Sequence, residues 1–194
     1  MTGIILSGGK SSRMGGLNKA FLTVNGETII GRTVRILKSV CDDIILVTNA
    51  PLEYLDYDIR IVTDIIKGKA AMGGIYTGLF YSSSESNFVV ACDMPLCNRE
   101  FIEHMIRRSE GYDIVVPRPS DGFQPLHAIY SKKCLRAMET LIVRNELRIR
   151  TLFDTFKTLT IPAEEIQSFD AGENMFFNIN SPEDLDNVSV IKPQ

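Results

Sequence analysis

Apolar residues fall along this chain in short dense runs, and between the runs they recur at helical spacing. Residues 3–7 form an apolar run stopped by glycines, which reads as a buried strand. Over residues 28–40, Ile29, Ile30, Val34, Ile36, Leu37 and Val40 trace a helical stripe, and Thr28 is placed to cap its start. Residues 44–48 and 59–62 repeat the strand pattern, the latter ending at Asp64. Residues 74–81 suit a helix, 88–91 a strand stopped by Asp93 and Pro95, and 98–109 a helix capped by Asn98. Residues 113–116 read as a strand stopped by Pro117. Beyond that point the pattern loosens into strands at 126–130, 159–161 and 176–179 and helices at 132–141 and 151–156. A last helix starts at Pro182 after Ser181, with Glu183 and Asp184 in its first turn.

Nearly all-apolar strands alternating with helices predict an α/β fold, a mostly parallel sheet covered by helices on both faces. Such sheets bind ligands beyond the carboxyl ends of their strands. The residues there are Ser7-Gly8-Gly9, Thr48-Asn49, Asp64 and Asp93.

Composition narrows the function classes. The 194 residues suit one domain, expected to span 1–194, with 44% apolar and 23% charged residues. A net charge of -3 gives no overall drive toward nucleic acid. The chain has neither a basic start followed by a long apolar run nor about 18 consecutive apolar residues, so a cytoplasmic protein without a membrane span is expected. The four cysteines are scattered and lack a histidine cluster, which favours reduced thiols over a zinc site.

The chemistry concentrates in Leu6-Ser7-Gly8-Gly9-Lys10-Ser11-Ser12-Arg13-Met14-Gly15-Gly16-Leu17-Asn18-Lys19, directly after the first strand. Small residues let the backbone approach a ligand, and successive N–H groups can cradle an anion. Lys10, Arg13 and Lys19 add positive charge suited to a triphosphate. Walker A spacing fails because residue 4 is Ile, and the dinucleotide pattern fails because Gly15 and Gly16 fall at the wrong distance from Gly8-Gly9. Asp93, opposite this loop, is placed either to hold Mg²⁺ with phosphate oxygens or to cap the turn before Pro95. Asp64 faces the same choice.

The run LSGGKSSRMGGLNK resembles the signature of the nucleotidyltransferases that make the molybdenum cofactor, the guanylyltransferase type in particular. The resemblance extends through Leu22 and Gly26, Asp64, Gly73-Gly74-Ile75, Ala91-Cys92-Asp93-Met94-Pro95 and Phe177-Asn178-Ile179-Asn180-Ser181-Pro182-Glu183-Asp184-Leu185, in the family's order. It implies a three-layer, Rossmann-like fold of the nucleotide-diphospho-sugar transferase type, with residues 1–117 binding nucleotide and 118–194 the acceptor. It further implies that Leu6, Ser7 and Gly8 contact base and ribose, that Lys19 contacts phosphate, and that Asn49 and Asp64 contact the nucleoside. Asp93 would hold Mg²⁺, with Asn180 a weaker candidate ligand, and Arg13 and Lys19 would neutralise the leaving pyrophosphate. The implied reaction transfers GMP from GTP to molybdenum-molybdopterin. A CTP-dependent relative, another small-molecule nucleotidyltransferase and a non-catalytic nucleotide-binding regulator are the rival readings. Ala70-Ala71-Met72 departs from the family's Gly-Pro-Leu.

Gln124 and His127 sit where the family places acceptor-facing residues, and His127 is read equally as a partly buried structural histidine. His104 is expected on the surface. Lys132, Lys133, Arg144, Arg148 and Arg150 form a basic region, read as a solvated face or as a dock for the acceptor phosphate or a transient cofactor-delivery partner.

Overall fold

Side chains alternate along the first strand and thereby set two layers of core. In β1 (Thr2–Ser7), Ile5 packs with one apolar cluster while Ile4 and Leu6 pack with another. The computed structural model describes residues 1–8, 13–14 and 17–190, the side chains of Arg13, Met14, Leu17, Pro182, Ser189 and Val190 lying outside that description. The elements after β1 are α1 (Ile29–Lys38), β2 (Asp43–Thr48), β3 (Arg60–Val62), α2 (Ala70–Tyr81) and β4 (Ser86–Ala91). There follow α3 (Arg99–Arg108), β5 (Ile114–Arg118), β6 (His127–Ser131), α4 (Leu135–Val143), β7 (Thr158–Pro162), α5 (Ala163–Ile166) and α6 (Pro182–Val190).

Apart from two short ribbons that pair Arg13–Met14 with Leu17–Asn18 and Thr23–Val24 with Glu27–Thr28, among the described residues these seven strands form one sheet, in the order β7-β5-β6-β4-β1-β2-β3. Neighbours run parallel except at β6, which is antiparallel to both β4 and β5. Helices α1 and α3 cover one face, setting Ile30, Val34, Leu37, Phe101 and Met105 against Ile5, Leu46 and Val90. Helices α2 and α4 cover the other with Met72, Ile75, Leu79 and Met138 against Ile4, Leu6 and Val89. Caps fix two of these helices as their sequences predict: Thr28 accepts from the Gly31 amide at 3.2 Å and Asn98 from the Phe101 amide at 3.0 Å. Among the described residues no helix is long and apolar enough to cross a membrane.

Glycine brings α2 close enough to matter for ligand binding. A Cβ on Gly78 would stand 2.5 Å from Ile4 Cγ2, and one on Gly74 would stand 3.3 Å from Leu6 Cδ2. The helix therefore lies directly on β1 and delivers its first turn to the carboxyl end of that strand.

Three expectations change. The strand at 113–116 runs on through Pro117 to Arg118, because pairing with β6 stops at Val115 and the missing proline N–H interrupts no bond there. The helix at 151–156 is a 3-10 turn over Ile149–Leu152. Residues 176–179 form no strand: Phe176 and Ile179 are buried by packing, and the Ile179 amide donates to the Asp93 carbonyl at 3.0 Å.

Candidate active site

The parallel strands β1 and β4 end side by side, and the Cys92 amide donates to the Leu6 carbonyl at 3.0 Å just past those ends. A cleft of about 730 Å³ opens above them. Leu6, Ala91 and Cys92 lie at its base. Gly8, Asn49 and Asp64 line it from the β2 and β3 side, Asp93 and Leu126 from the β4 and β6 side. Ala70, Ala71 and Gly74 enter from the first turn of α2.

Asn49 Nδ2 donates to Asp64 Oδ2 at 2.7 Å, and a Cβ on Gly8 would stand 3.9 Å from that nitrogen and 4.0 Å from that oxygen. Three of the residues the sequence points to thus form one rim. The pair leaves Asn49 Oδ1 and the second Asp64 oxygen as acceptors, a set suited to the donors of a purine or a ribose. Ser7 behaves differently. Its side chain is buried and hydrogen bonds with the Tyr54 hydroxyl below the loop, so the residue offers the cleft its backbone. Tyr54 also accepts from Asn18 Nδ2 at 2.7 Å, and the same nitrogen donates to Glu53 Oε2 at 2.7 Å.

On the other side, Asp93 is half-buried, and burial raises its pKa above the usual carboxylate value, while its own backbone N–H and the Lys19 charge pull it down. Lys19 is itself only 3% exposed, and its Nζ donates to Asn180 Oδ1 at 3.2 Å. Asp184 holds the turn that presents Asn180, accepting from the Asn180 amide at 2.7 Å and the Ser181 amide at 2.8 Å. Asp93, Lys19 and Asn180 come together from three distant parts of the chain. Among the described residues no three His, Cys, Asp or Glu side chains cluster as a ready-made metal cage. What stands here is hard oxygen, a desolvated carboxylate and an amide carbonyl, which suits a cation that keeps waters and phosphate oxygens as its other ligands. The Arg13 backbone pairs with Asn18, its side chain lies outside the described residues, and so do residues 9–12 and 15–16 of the loop.

The two acceptor candidates do not reach this cleft. His127 is 0% exposed, both ring nitrogens lack a hydrogen-bond partner, and Phe88, Phe101 and Phe176 surround it with centroids 5.0, 6.0 and 5.3 Å away. Its outward-facing role is corrected to a core one, because Leu126, just before β6, lines the cleft while His127, the first residue of the strand, packs inward among the phenylalanines. Gln124 Nε2 donates to Asp121 Oδ1 at 3.4 Å, outside the cleft lining. His104, expected on the surface, is half-buried against Phe169 and bonds with Glu165. In the basic region Lys132 donates to the Ser82 carbonyl at 2.6 Å and Lys133 to Asp113 at 3.0 Å, leaving Arg144, Arg148 and Arg150 exposed. Sequence reasoning passed over Leu126, Cys92, Asn178 and Tyr54. Three of these stand beside or within quoted motifs, whereas Tyr54 carries no local signal.

Residues 3–159 match the family of MobA-like NTP transferase domains. A molybdenum cofactor guanylyltransferase from Desulfosudis oleivorans is 37% identical over 187 residues, covering 96% of this chain and 93% of the relative. A probable molybdenum cofactor guanylyltransferase from Methanosarcina mazei is 35% identical over 197 residues, 95% of this chain and 88% of the relative. The crystal structure of molybdopterin-guanine dinucleotide biosynthesis protein A from Archaeoglobus fulgidus is similar with a TM-score of 0.80, at 26% identity over 97% of each chain. The fold alone is shared with 4-diphosphocytidyl-2C-methyl-D-erythritol synthase from Anaerococcus prevotii, at a TM-score of 0.68, 19% identity, and 97% and 93% coverage.

Proposed function

The chain belongs to the family of MobA-like NTP transferase domains and is a nucleotidyltransferase, and from that premise we propose that it transfers GMP from GTP to molybdenum-molybdopterin, releasing pyrophosphate. Relatives named for guanylyl transfer support this choice of substrates, as does the Gly8-Gly9 pair, which resembles the guanine type of loop. The observation that carries the reading is Asp93 on the cleft wall opposite Gly8, Asn49 and Asp64, with the hydrogen-bonded Lys19 and Asn180 beside it.

In this reading the nucleoside lies between Leu6, Gly8 and the Asn49–Asp64 pair, in the half formed by residues 1–117. The buried Lys19 ammonium faces the phosphates and opposes charge on the leaving oxygens, aided by Arg13. Asp93, with Asn180 beside it, holds a divalent cation, Mg²⁺ in our proposal, which when bound neutralises polyphosphate charge and polarises the α-phosphorus. The acceptor phosphate approaches from the side of residues 118–194 and attacks in line, with no covalent enzyme intermediate.

The test incubates the purified chain with Mg²⁺, molybdopterin and each of GTP, CTP, ATP and UTP in turn, and follows pyrophosphate. Release with GTP at a rate well above the others is the expected result. Preference for CTP would move the chain to the cytidylyl reading, and no release with any nucleotide would leave a binding protein in place of an enzyme.

A further inference from the structure

A built cationic surface stands next to the cleft and has no part in the nucleotide side of the site. Arg118 ends β5, and its guanidinium carbon lies 5.2 Å from the centroid of the Phe123 ring. Arg150, from the 3-10 turn after α4, lies 5.0 Å from the same centroid. Phe153 backs the ring at 5.3 Å. Both arginines are exposed, and among the described residues neither pairs with a carboxylate, in a chain of net charge -3. A guanidinium held over an aromatic ring is steadied by the ring's quadrupole, and its exposed N–H donors remain available to an anion.

The loop presenting Phe123 is held at both ends. The Gln124 amide donates to the Pro117 carbonyl at 2.9 Å, and Glu173 accepts from the Ser120 amide at 3.1 Å and the Ser120 hydroxyl at 2.6 Å. Phe123 precedes Leu126 by three residues, which keeps it within about 10 Å of the cleft wall that Leu126 forms. Arg118 closes a strand parallel to β4, so it stands at the same sheet edge as Asp93 and on the side away from Asn49 and Asp64.

We propose that Arg118 and Arg150, splayed on Phe123, form an anion subsite that takes the phosphate group of the acceptor. The proposal rests on the transferase reading above and names a place for the second substrate that neither Gln124 nor His127 supplies. The two arginines hold an oxyanion while the ring fixes their separation; the nucleotide is bound elsewhere in the cleft.

The chain contains no tryptophan, so Phe123→Trp installs a single reporter at the subsite. Inorganic phosphate and molybdopterin are titrated against its emission, with and without the added pair Arg118→Gln and Arg150→Gln. In parallel, GTP·Mg²⁺ binding to the double arginine variant is measured by calorimetry, and its steady-state constants for both substrates are determined. Saturable emission changes with both probes, weakened at least about tenfold by loss of the arginines, are expected on the scale of charge-assisted hydrogen bonds. The double variant should show an acceptor KM raised by a similar factor, with GTP affinity and kcat unchanged. An unresponsive tryptophan, a response indifferent to the arginines, or a fall in GTP affinity would each overturn the subsite. If GTP fails to bind or react while arginine-dependent phosphate binding persists, the guanylyl reading fails and the subsite stands.

Discussion

Asp93 is half-buried and His127 fully buried, and burial shifts their pKa values in opposite directions. The Asp93 carboxyl has its pKa raised by desolvation, with its own backbone N–H and Lys19 acting against the shift. Between the unfolded and the folded pKa the native state therefore carries more proton than the unfolded chain, and the stability this group contributes falls as pH rises through that window. A neutral isostere removes the penalty. Asp93→Asn should raise the melting temperature of the nucleotide-free, metal-free protein at pH 7 and lower turnover at least about 10²-fold, the scale of one transition-state contact. Calorimetry and a pyrophosphate assay on the same preparation check both halves, and a lowered melting temperature would contradict the desolvation argument. His127 runs the other way, its pKa pushed down to about 3 by burial among phenylalanines. The folded chain keeps it neutral while the unfolded chain takes up a proton below about 6.5. Stability is thus fully present above that value and is lost as pH falls toward 3. His127→Leu should flatten the decline of melting temperature between pH 6.5 and 4 and leave KM for the acceptor unchanged. A raised acceptor KM with normal stability would return the residue to the substrate.

At the scale of elements, the short 3-10 turn Pro51–Tyr54 has an influence that its four residues do not advertise. Ser7 closes β1 and Asn18 precedes Lys19, and the Tyr54 hydroxyl binds both, tying the two ends of the glycine-rich loop to one atom. Phe21 packs on the Tyr54 ring at 4.9 Å, so Tyr54→Phe keeps the packing and removes the tie. Leaving Ser7 and Asn18 short of a partner should raise the nucleotide KM about tenfold, from roughly 1–3 kcal/mol per unsatisfied buried group, with a smaller effect on acceptor KM. Equal changes in both constants would argue against loop positioning. The start of α2 offers a second case. Ala70 has φ 47°, in the left-handed region that disfavours a Cβ, at the position where the family's usual glycine stands. Ala70→Gly should stabilise the chain by up to about 1 kcal/mol, the left-handed penalty less the added backbone entropy of glycine, as read from denaturant midpoints. These two elements also mark where sequence reasoning stops. Strands β1, β2 and β4 were legible because burial on both faces leaves them almost wholly apolar, and α1 and α3 because Thr28 and Asn98 announce their starts. Residues 176–179 looked like a strand because burial alone imposes the same apolar alternation as pairing. Tyr54 stayed hidden because its partners lie 47 and 36 positions away, beyond any spacing rule.

Over the whole molecule, the sheet's carboxyl edge divides by strand order, with Asn49 and Asp64 beyond β2 and β3, Asp93 beyond β4, and Arg118 at the end of β5. Motifs revealed the first two groups, since glycines and acids at strand ends are readable, whereas the Arg118–Phe123–Arg150 grouping depends on a turn after α4 folding back. This order lets nucleotide binding be weighed without the acceptor. A ligand that binds only the folded chain adds RT ln(1 + [L]/Kd), about 2.7 kcal/mol at a hundredfold excess over Kd. For a chain of 194 residues each kcal/mol moves the melting temperature by about 2–4 °C, so GTP·Mg²⁺ at that excess should raise it by about 5–10 °C. CTP at the same concentration should add less, because in the proposed binding mode the base meets Gly8 and the Asn49–Asp64 pair on the cleft rim. Removing that preference without touching the phosphates is possible through Asp64→Ala, which should bring the GTP and CTP shifts together. Should both nucleotides stabilise the unaltered chain equally, the rim formed by Gly8, Asn49 and Asp64 would not select the base at the binding step.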